Sequence, residues 1–349
     1  MSLALSRPRM VLPGARYAPR PAHRILILQR GENASTDYYL RPRLVRQGAP
    51  AEIADLSDDP RASRLLAPDA GEALMVVFCR YASSAWLEAL EAARGRLARV
   101  AFFMDDDLPE MMRSREVPPA ARGKVALQFA AHAGRLSTLC SEVWVSTPAL
   151  AERYPLARAR VLPPLPEVDP PAPSAEAGSL VVYHGTDVHA RERSFVIEVA
   201  RRLSALRPDA RVEIAGEPGL LRGSGAEGNL TVVPQLAWPD YLRAQTGRKA
   251  AISLAPLFAS ALNDARAPVK AFDAARLGAA GLFADAPAYR QAVRDGEDGW
   301  LLPMQPAAWA EAIAALLANP RRRLRLAEAA RARLLELLAS DTGFPAAGA

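Results

Sequence analysis

The stretch from Pro163 to Gly178, PPLPEVDPPAPSAEAG, places six prolines within sixteen residues near the middle of a 349-residue chain. Proline fixes φ and carries no N–H, so neither a core helix nor a central strand can run through such a stretch. The chain must close one core before it and open another after it. The length agrees, since a single core stops growing well short of this size.

Each half repeats one pattern. In the first, HRILILQRG from His23 reads as an apolar strand running out into a polar loop, with DYYLRPRLVRQG as the helix behind it, interrupted at Pro42 and closed by Gly48. AEIADLS and ALMVVFCR (Ala73–Arg80) are further strands. WLEALEAARGR is a covering helix with Trp86, Leu87, Leu90 and Leu97 inward, and ARVAFFMDDDLPE is a buried strand ending in three carboxylates. One long helix is predicted over Ala121–Leu139, then a strand over Val143–Val145. After it Thr147 is placed to cap a helix that opens on Pro148. VLPPL supplies a short last strand. Strands alternating with helices at this spacing predict a parallel α/β sheet.

The second half restarts with SLVVYHGTDVHARERSFVIEVARRLSAL: strand, glycine loop, helix. RVEIAGE, NLTVVPQL and AAISLAPL (Ala250–Leu257) follow as strands. Ala267–Pro303 then packs most organisation into fewest residues. A helix carrying Val269, Phe272 and Leu277 stops at Gly278, and a buried strand ends at Asp285. Pro287 opens a short helix, and Gly296 and Gly299 bracket a turn. Lys270 and Asp273 lie three apart and share one helix face. That face belongs where a helix, a strand end and a loop converge, which is where open α/β sheets bind ligands. Two further helices and a tail close the chain.

Composition narrows the partners. With 50% hydrophobic and 23% charged residues the chain is globular. No apolar run is long enough to span a bilayer. The first twenty residues set Arg7, Arg9, Arg16 and Arg20 among prolines without an apolar segment, which is not a secretory signal. Cys79 and Cys140 are the only cysteines and sit in apolar runs, so two free thiols in a reducing, cytoplasmic setting are expected. Net charge is +6, and residues 1–46 hold nine arginines against Glu32 and Asp37. Such an edge suits peripheral contact with an anionic membrane. An arginine-rich composition, with only Lys124, Lys249 and Lys270 as lysines, yields the same edge without any partner. No nucleic acid partner is expected, because neither aromatic interleaving nor a recognition motif accompanies the charge.

The motifs YHGTDVH, ISLAPL and VKAFDAARLGAAGLFADAPAYRQAVRDGEDGWLL, with STPALAERY and the DDDL after a strand, together resemble the two-domain GT-B glycosyltransferases, in particular the retaining family-four (glycosyl transferases group one) type. The match runs best from Leu180 to about Ser340. It implies two Rossmann-like parallel-sheet domains facing a cleft. The expected boundaries are a basic segment over 1–21, an acceptor-side domain over 22–165, a linker over 166–178, a nucleotide-sugar donor domain over 179–318, a terminal helix over 319–340 and a tail over 341–349. The implied activity is transfer of a sugar from a nucleotide-diphosphate sugar to a glycan, lipid or protein acceptor, with retention and without a metal or other cofactor.

Residue by residue, the resemblance puts Gly185 against the donor diphosphate and Lys270 on the diphosphate as it leaves. Thr186, His189, Arg191, Asp285, Ala286 and Tyr289 are the remaining donor-binding candidates, and the family's customary arginine–lysine pair after the glycine loop is replaced here by His189, Arg191 and Arg193, which do not align with it. Asp273 stands where the family usually has a glutamate on the nucleotide ribose, and it is shorter by one carbon–carbon bond, roughly 1.5 Å. The acid many members carry eight positions earlier is Ala265 here, with Asp264 adjacent but out of register. The physical logic stands apart from the name. Breaking a sugar–phosphate bond builds negative charge on the diphosphate, and a fixed cation stabilises it. Asp105, Asp106 and Asp107 admit two readings, clustered oxygens for a divalent cation or a capped loop. No histidine or further acid is placed beside them, so with Arg30 they are assigned to the acceptor side of the cleft and no metal is expected.

Overall fold

The structure, a computed structural model, describes residues 10–18, 21–67, 73–166, 169–174, 178–186, 189–221 and 228–345. The chain forms two units, one of Met1–Glu167 with Ala265–Ala267 and Thr342–Ala349, the other of Val168–Asp264 and Pro268–Asp341. Much of the basic segment over 1–21, including residues 1–9 and 19–20, lies outside the described residues.

The first unit runs β1 (Arg24–Gln29), α1 (Arg41–Gln47), β2 (Ala51–Asp55), β3 (Leu74–Cys79), α2 (Ser84–Ala92), β4 (Leu97–Met104), α3 (Leu108–Arg113), α4 (Pro119–Gln128), α5 (Ala133–Leu139), β5 (Glu142–Val145), α6 (Pro148–Arg153) and β6 (Arg160–Val161). Its strands form one parallel sheet in the order β2-β1-β3-β4-β5-β6. Every residue of β3 is buried, as is expected of a parallel strand covered on both faces.

The second unit runs β7 (Leu180–Tyr183), α7 (Ala190–Leu206), β8 (Arg211–Ala215), β9 (Leu230–Val233), α8 (Trp238–Gln245), β10 (Ile252–Ala255), α9 (Val269–Arg276), β11 (Ala280–Ala284), α10 (Pro287–Arg290), β12 (Trp300–Leu302), α11 (Pro306–Ala318) and α12 (Pro320–Ser340). Its sheet is also parallel, ordered β12-β11-β10-β7-β8-β9. In both sheets the strand order reverses beside the first strand, between β1 and β3 and between β7 and β10. A crevice opens at the carboxyl ends of the strands at such a point. Among the described residues no helix is long and apolar enough to cross a membrane.

Four details depart from the sequence reading. Pro42 does not interrupt its helix. Thr36–Leu40 forms a wide turn in which the Arg41 N–H reaches the Thr36 carbonyl, and α1 then starts with Pro42 in its first turn, where no donor is missed. Leu97 opens β4 instead of closing α2. The long helix over 121–139 breaks at Phe129, whose ring turns into the core and stacks 5.5 Å from Phe102. The tail is anchored as far as Pro345: Phe344 is buried and stacks 5.5 Å from Trp144, and Arg99 donates to the Pro345 carbonyl at 2.8 Å. The proline-rich linker is fastened too, since Arg331 donates to the Pro170 carbonyl at 2.7 Å. Pro173 lies over Gly278, where a Cβ would come within 3.2 Å of the Pro173 Cα.

Candidate functional site

In the second unit, β7 ends at Tyr183 and delivers His184 and Gly185 to the switch point, while the chain after β10 delivers α9. Lys270 and Asp273 on α9 form the pair that their spacing predicts, Nζ to Oδ2 at 3.0 Å. Two further contacts were not legible. The Lys270 ammonium donates to the His184 carbonyl at 2.5 Å, and Asp273 also receives Arg276 at 3.3 Å. The Arg276 guanidinium lies 5.7 Å from the centroid of Trp238, which stacks 5.6 Å from Tyr241. Tyr241 returns to the start, its hydroxyl 3.3 Å from His184 Nδ1. His184 Nε2 meets Glu213 at 2.8 Å, and Arg248 grips both Glu213 oxygens at 2.9–3.1 Å. Lys270, Asp273, Arg276, Trp238, Tyr241 and His184 therefore close into a ring, with Glu213 and Arg248 bracing it.

Glu213 sits on β8 inside the sheet, where a charge is costly unless paired. Burial works against its ionisation, but the hydrogen bonds of His184 and Arg248 and the charge of Arg248 outweigh that and push its carboxyl down to about 2. A carboxyl lowered on folding contributes stability above its ordinary value of 4.5, and that stability is lost as pH falls towards 2. The shift corresponds to about 3 kcal/mol. Thermal melts between pH 6 and pH 2.5 are expected to show a steeper loss for the wild type than for Glu213→Gln. Parallel curves would contradict this.

The other positions that the sequence assigns to the donor form a second group. Gly185 allows a close approach, because a Cβ there would lie 2.5 Å from the Tyr183 hydroxyl. Thr186 is exposed and its carbonyl accepts from the His189 N–H at 2.9 Å. His189 Nδ1 lies 3.8 Å from Glu192, and the Arg191 guanidinium lies 4.4 Å from the Phe258 centroid. Asp285, Ala286 and Tyr289 follow the end of β11 and lie at the start of α10. Asp285 pairs with Arg290 on the surface. Ala286 caps α10, and Tyr289 is buried with its ring 5.1 Å from Phe283.

In the first unit the same switch point carries an arginine among carboxylates. Leu28 pairs with Phe78, so Arg30 and Arg80, two residues on, leave neighbouring strand ends. Arg30 is exposed; Arg80 is drawn in with φ +68°. Arg80 approaches Asp105 at 3.4 Å and Asp106 at 3.5 Å, and donates to Ser35 Oγ at 3.3 Å. Ser35, placed by the turn before Thr36, donates to Asp105 at 2.6 Å. Arg266 adds a second cation 3.6 Å from Asp106. Burial raises the Asp105 carboxyl, Arg80 lowers it and Asp106 raises it again, with a net rise. Asp107 parts from its neighbours. Its side chain is 0% exposed, caps α3 through the Glu110 N–H and binds Arg153 at 2.6 Å and the Tyr154 hydroxyl. Among the described residues no three His, Cys, Asp or Glu side chains converge as metal ligands.

Comparison with known proteins follows the geometry. Residues 167–333 match the family described as glycosyl transferases group 1. That match falls on the second unit, and the two-sheet architecture is the GT-B fold. Anabaena HepE in complex with UDP and glucose is similar at 14% identity and TM-score 0.57, covering 90% of this chain and 95% of its own. Sucrose-phosphate synthase from Thermosynechococcus elongatus is similar at 15% identity and TM-score 0.57, with the same coverage. A variant of S. aureus TarM, bound to UDP among other ligands, is similar at 10% identity and TM-score 0.52, covering 76% of this chain and 52% of its own. No curated protein sequence matches the chain.

Proposed function

We propose that the chain is a retaining glycosyltransferase that moves a sugar from a nucleotide-diphosphate sugar to a glycan, lipid or protein acceptor, with Lys270 in place of a metal as the cation on the departing diphosphate. The observation that carries this is the setting of Lys270. Its ammonium sits at the switch point one residue from the Gly185 loop, and two of its three donors are engaged by the His184 carbonyl and Asp273. The third donor suits a phosphate oxygen. The family of the second unit and the UDP held by HepE support a nucleotide donor. In this reading Asp105, Asp106 and Arg80 serve the acceptor side.

Isothermal titration with UDP and GDP tests it. One of the two is expected to bind with Kd below about 1 mM, or roughly −4 kcal/mol, and heat from neither at millimolar concentration would sink the reading. A second reading, a GT-B-shaped binding protein without turnover, is favoured by one observation: both Asp273 oxygens already face cations, Lys270 at 3.0 Å and Arg276 at 3.3 Å. Binding of UDP without release of nucleotide from any sugar donor would select it.

A further inference from the structure

We propose that His184 is a positioning residue for Lys270, held by a clamp of Glu213, Arg248 and Tyr241 that fixes the peptide carbonyl on which the ammonium rests. The proposal builds on the donor-site reading above. Asp273 rides on the same helix as Lys270 and moves with it. The His184 carbonyl, at 2.5 Å, ties the ammonium to the end of β7. What fixes that carbonyl is the His184 side chain, which is only 8% exposed and engaged at both ring nitrogens.

The chemistry of the partners sets the direction of each bond. Ionised Glu213 can only accept, so Nε2 carries the hydrogen; in the neutral ring Nδ1 then accepts from the Tyr241 hydroxyl. The Tyr241 ring also meets the imidazole edge-on, with centroids 5.6 Å apart at 87°. Arg248 balances the Glu213 charge through both carboxylate oxygens, at 2.9–3.1 Å. On the other side of the same peptide, Gly185 is pressed against Tyr183, with no room for a Cβ. Plain packing does not call for this arrangement. An apolar side chain at position 213 would fill the sheet without the cost of a buried carboxylate. A charged group braced by an arginine and aimed at a histidine makes sense where the histidine's backbone must not move. A cation displaced by even about 1 Å from developing charge costs on the order of a hundredfold in rate.

Substitution of His184 by Ala keeps the carbonyl and removes only the grip on it, which separates positioning from direct contact. Wild-type release of UDP or GDP from nucleotide sugars is measured first, and its absence with every donor overturns the donor-site reading and the clamp's role with it. Given turnover, His184→Ala is expected to lower kcat by about tenfold to a hundredfold, and Tyr241→Phe, which removes one hydroxyl, by about threefold. In a Lys270→Ala background both losses are expected to shrink to less than about twofold, because the group being positioned is gone. Losses that multiply unchanged in that background would overturn the clamp while leaving the donor site standing. If His184→Ala does not fold, Tyr241→Phe and Glu213→Gln carry the same cycle, because both keep the shape of the side chain they replace.

Discussion

Lys270→Ala is expected to slow release of nucleoside diphosphate from the sugar donor by about 10²–10³-fold, the range found when one fixed donor to developing charge is removed. Cleavage of the sugar–phosphate bond leaves more negative charge on the diphosphate than the bound donor carries. A cation there gains more in the transition state than in the ground state, so kcat is expected to fall further than KM rises. The fold has little stake in the residue. Lys270 is 27% exposed, and Asp273 keeps Arg276 when the lysine goes. The stability cost is therefore expected to stay within about 1 kcal/mol. Turnover of a sugar nucleotide by purified variant and wild type, with thermal melts of both, is the check. A variant within threefold of wild type would remove Lys270 from the chemistry. Lys270→Arg keeps the charge but replaces a compact ammonium with a planar fork, and is expected to recover only part of the rate.

How far the chain could be read without coordinates depends on how local each signal is. The two parallel sheets are legible because their strands are covered on both faces and appear as unbroken apolar runs, LMVVFC in β3 and AGLFA in β11. The Lys270–Asp273 pair is legible because three residues on a helix fix a face. Glu213 is not, since it meets His184 across 29 residues and Arg248 across 35. A charge inside RVEIA, where the flanking valine and isoleucine are buried, is the one sign it leaves in the sequence. α8 escaped for a different reason. Trp238, Tyr241 and Leu242 keep a helical spacing, but WPDYLRAQ is only eight residues long with a proline in second place, too short for the period to stand out, and it brings Trp238 and Tyr241 to the site. The three consecutive aspartates look alike in the sequence, but the helix that begins at Leu108 takes Asp107 as its cap and leaves Asp105 and Asp106 to Arg80.

Arg80→Ala is expected to cost about 3–5 kcal/mol, the usual consequence of removing one partner from a buried ionic group. Arg80 is the cation that Asp105 and Asp106 share, and side-chain exposures of 18%, 14% and 25% leave little water to replace it. Arg266 lies 3.6 Å from Asp106, whereas Asp105 would keep the hydroxyl of Ser35. The loss has a pH signature. Burial already raises the Asp105 carboxyl against the pull of Arg80, and without that pull it rises further. A carboxyl raised on folding favours the folded state while it is protonated, and the benefit fades as pH climbs from the unfolded value through the folded one. The gap between variant and wild type is thus expected to widen from about pH 4 to pH 8 and to narrow in acid. Arg80→Gly should recover about 1 kcal/mol relative to Arg80→Ala, because φ +68° suits glycine and strains any other residue. Chemical denaturation across that pH range reads both effects. A constant gap would show that Arg80 packs against the aspartates without compensating their charge, and an Arg80→Ala protein as stable as wild type would show that the cluster carries no energy at all.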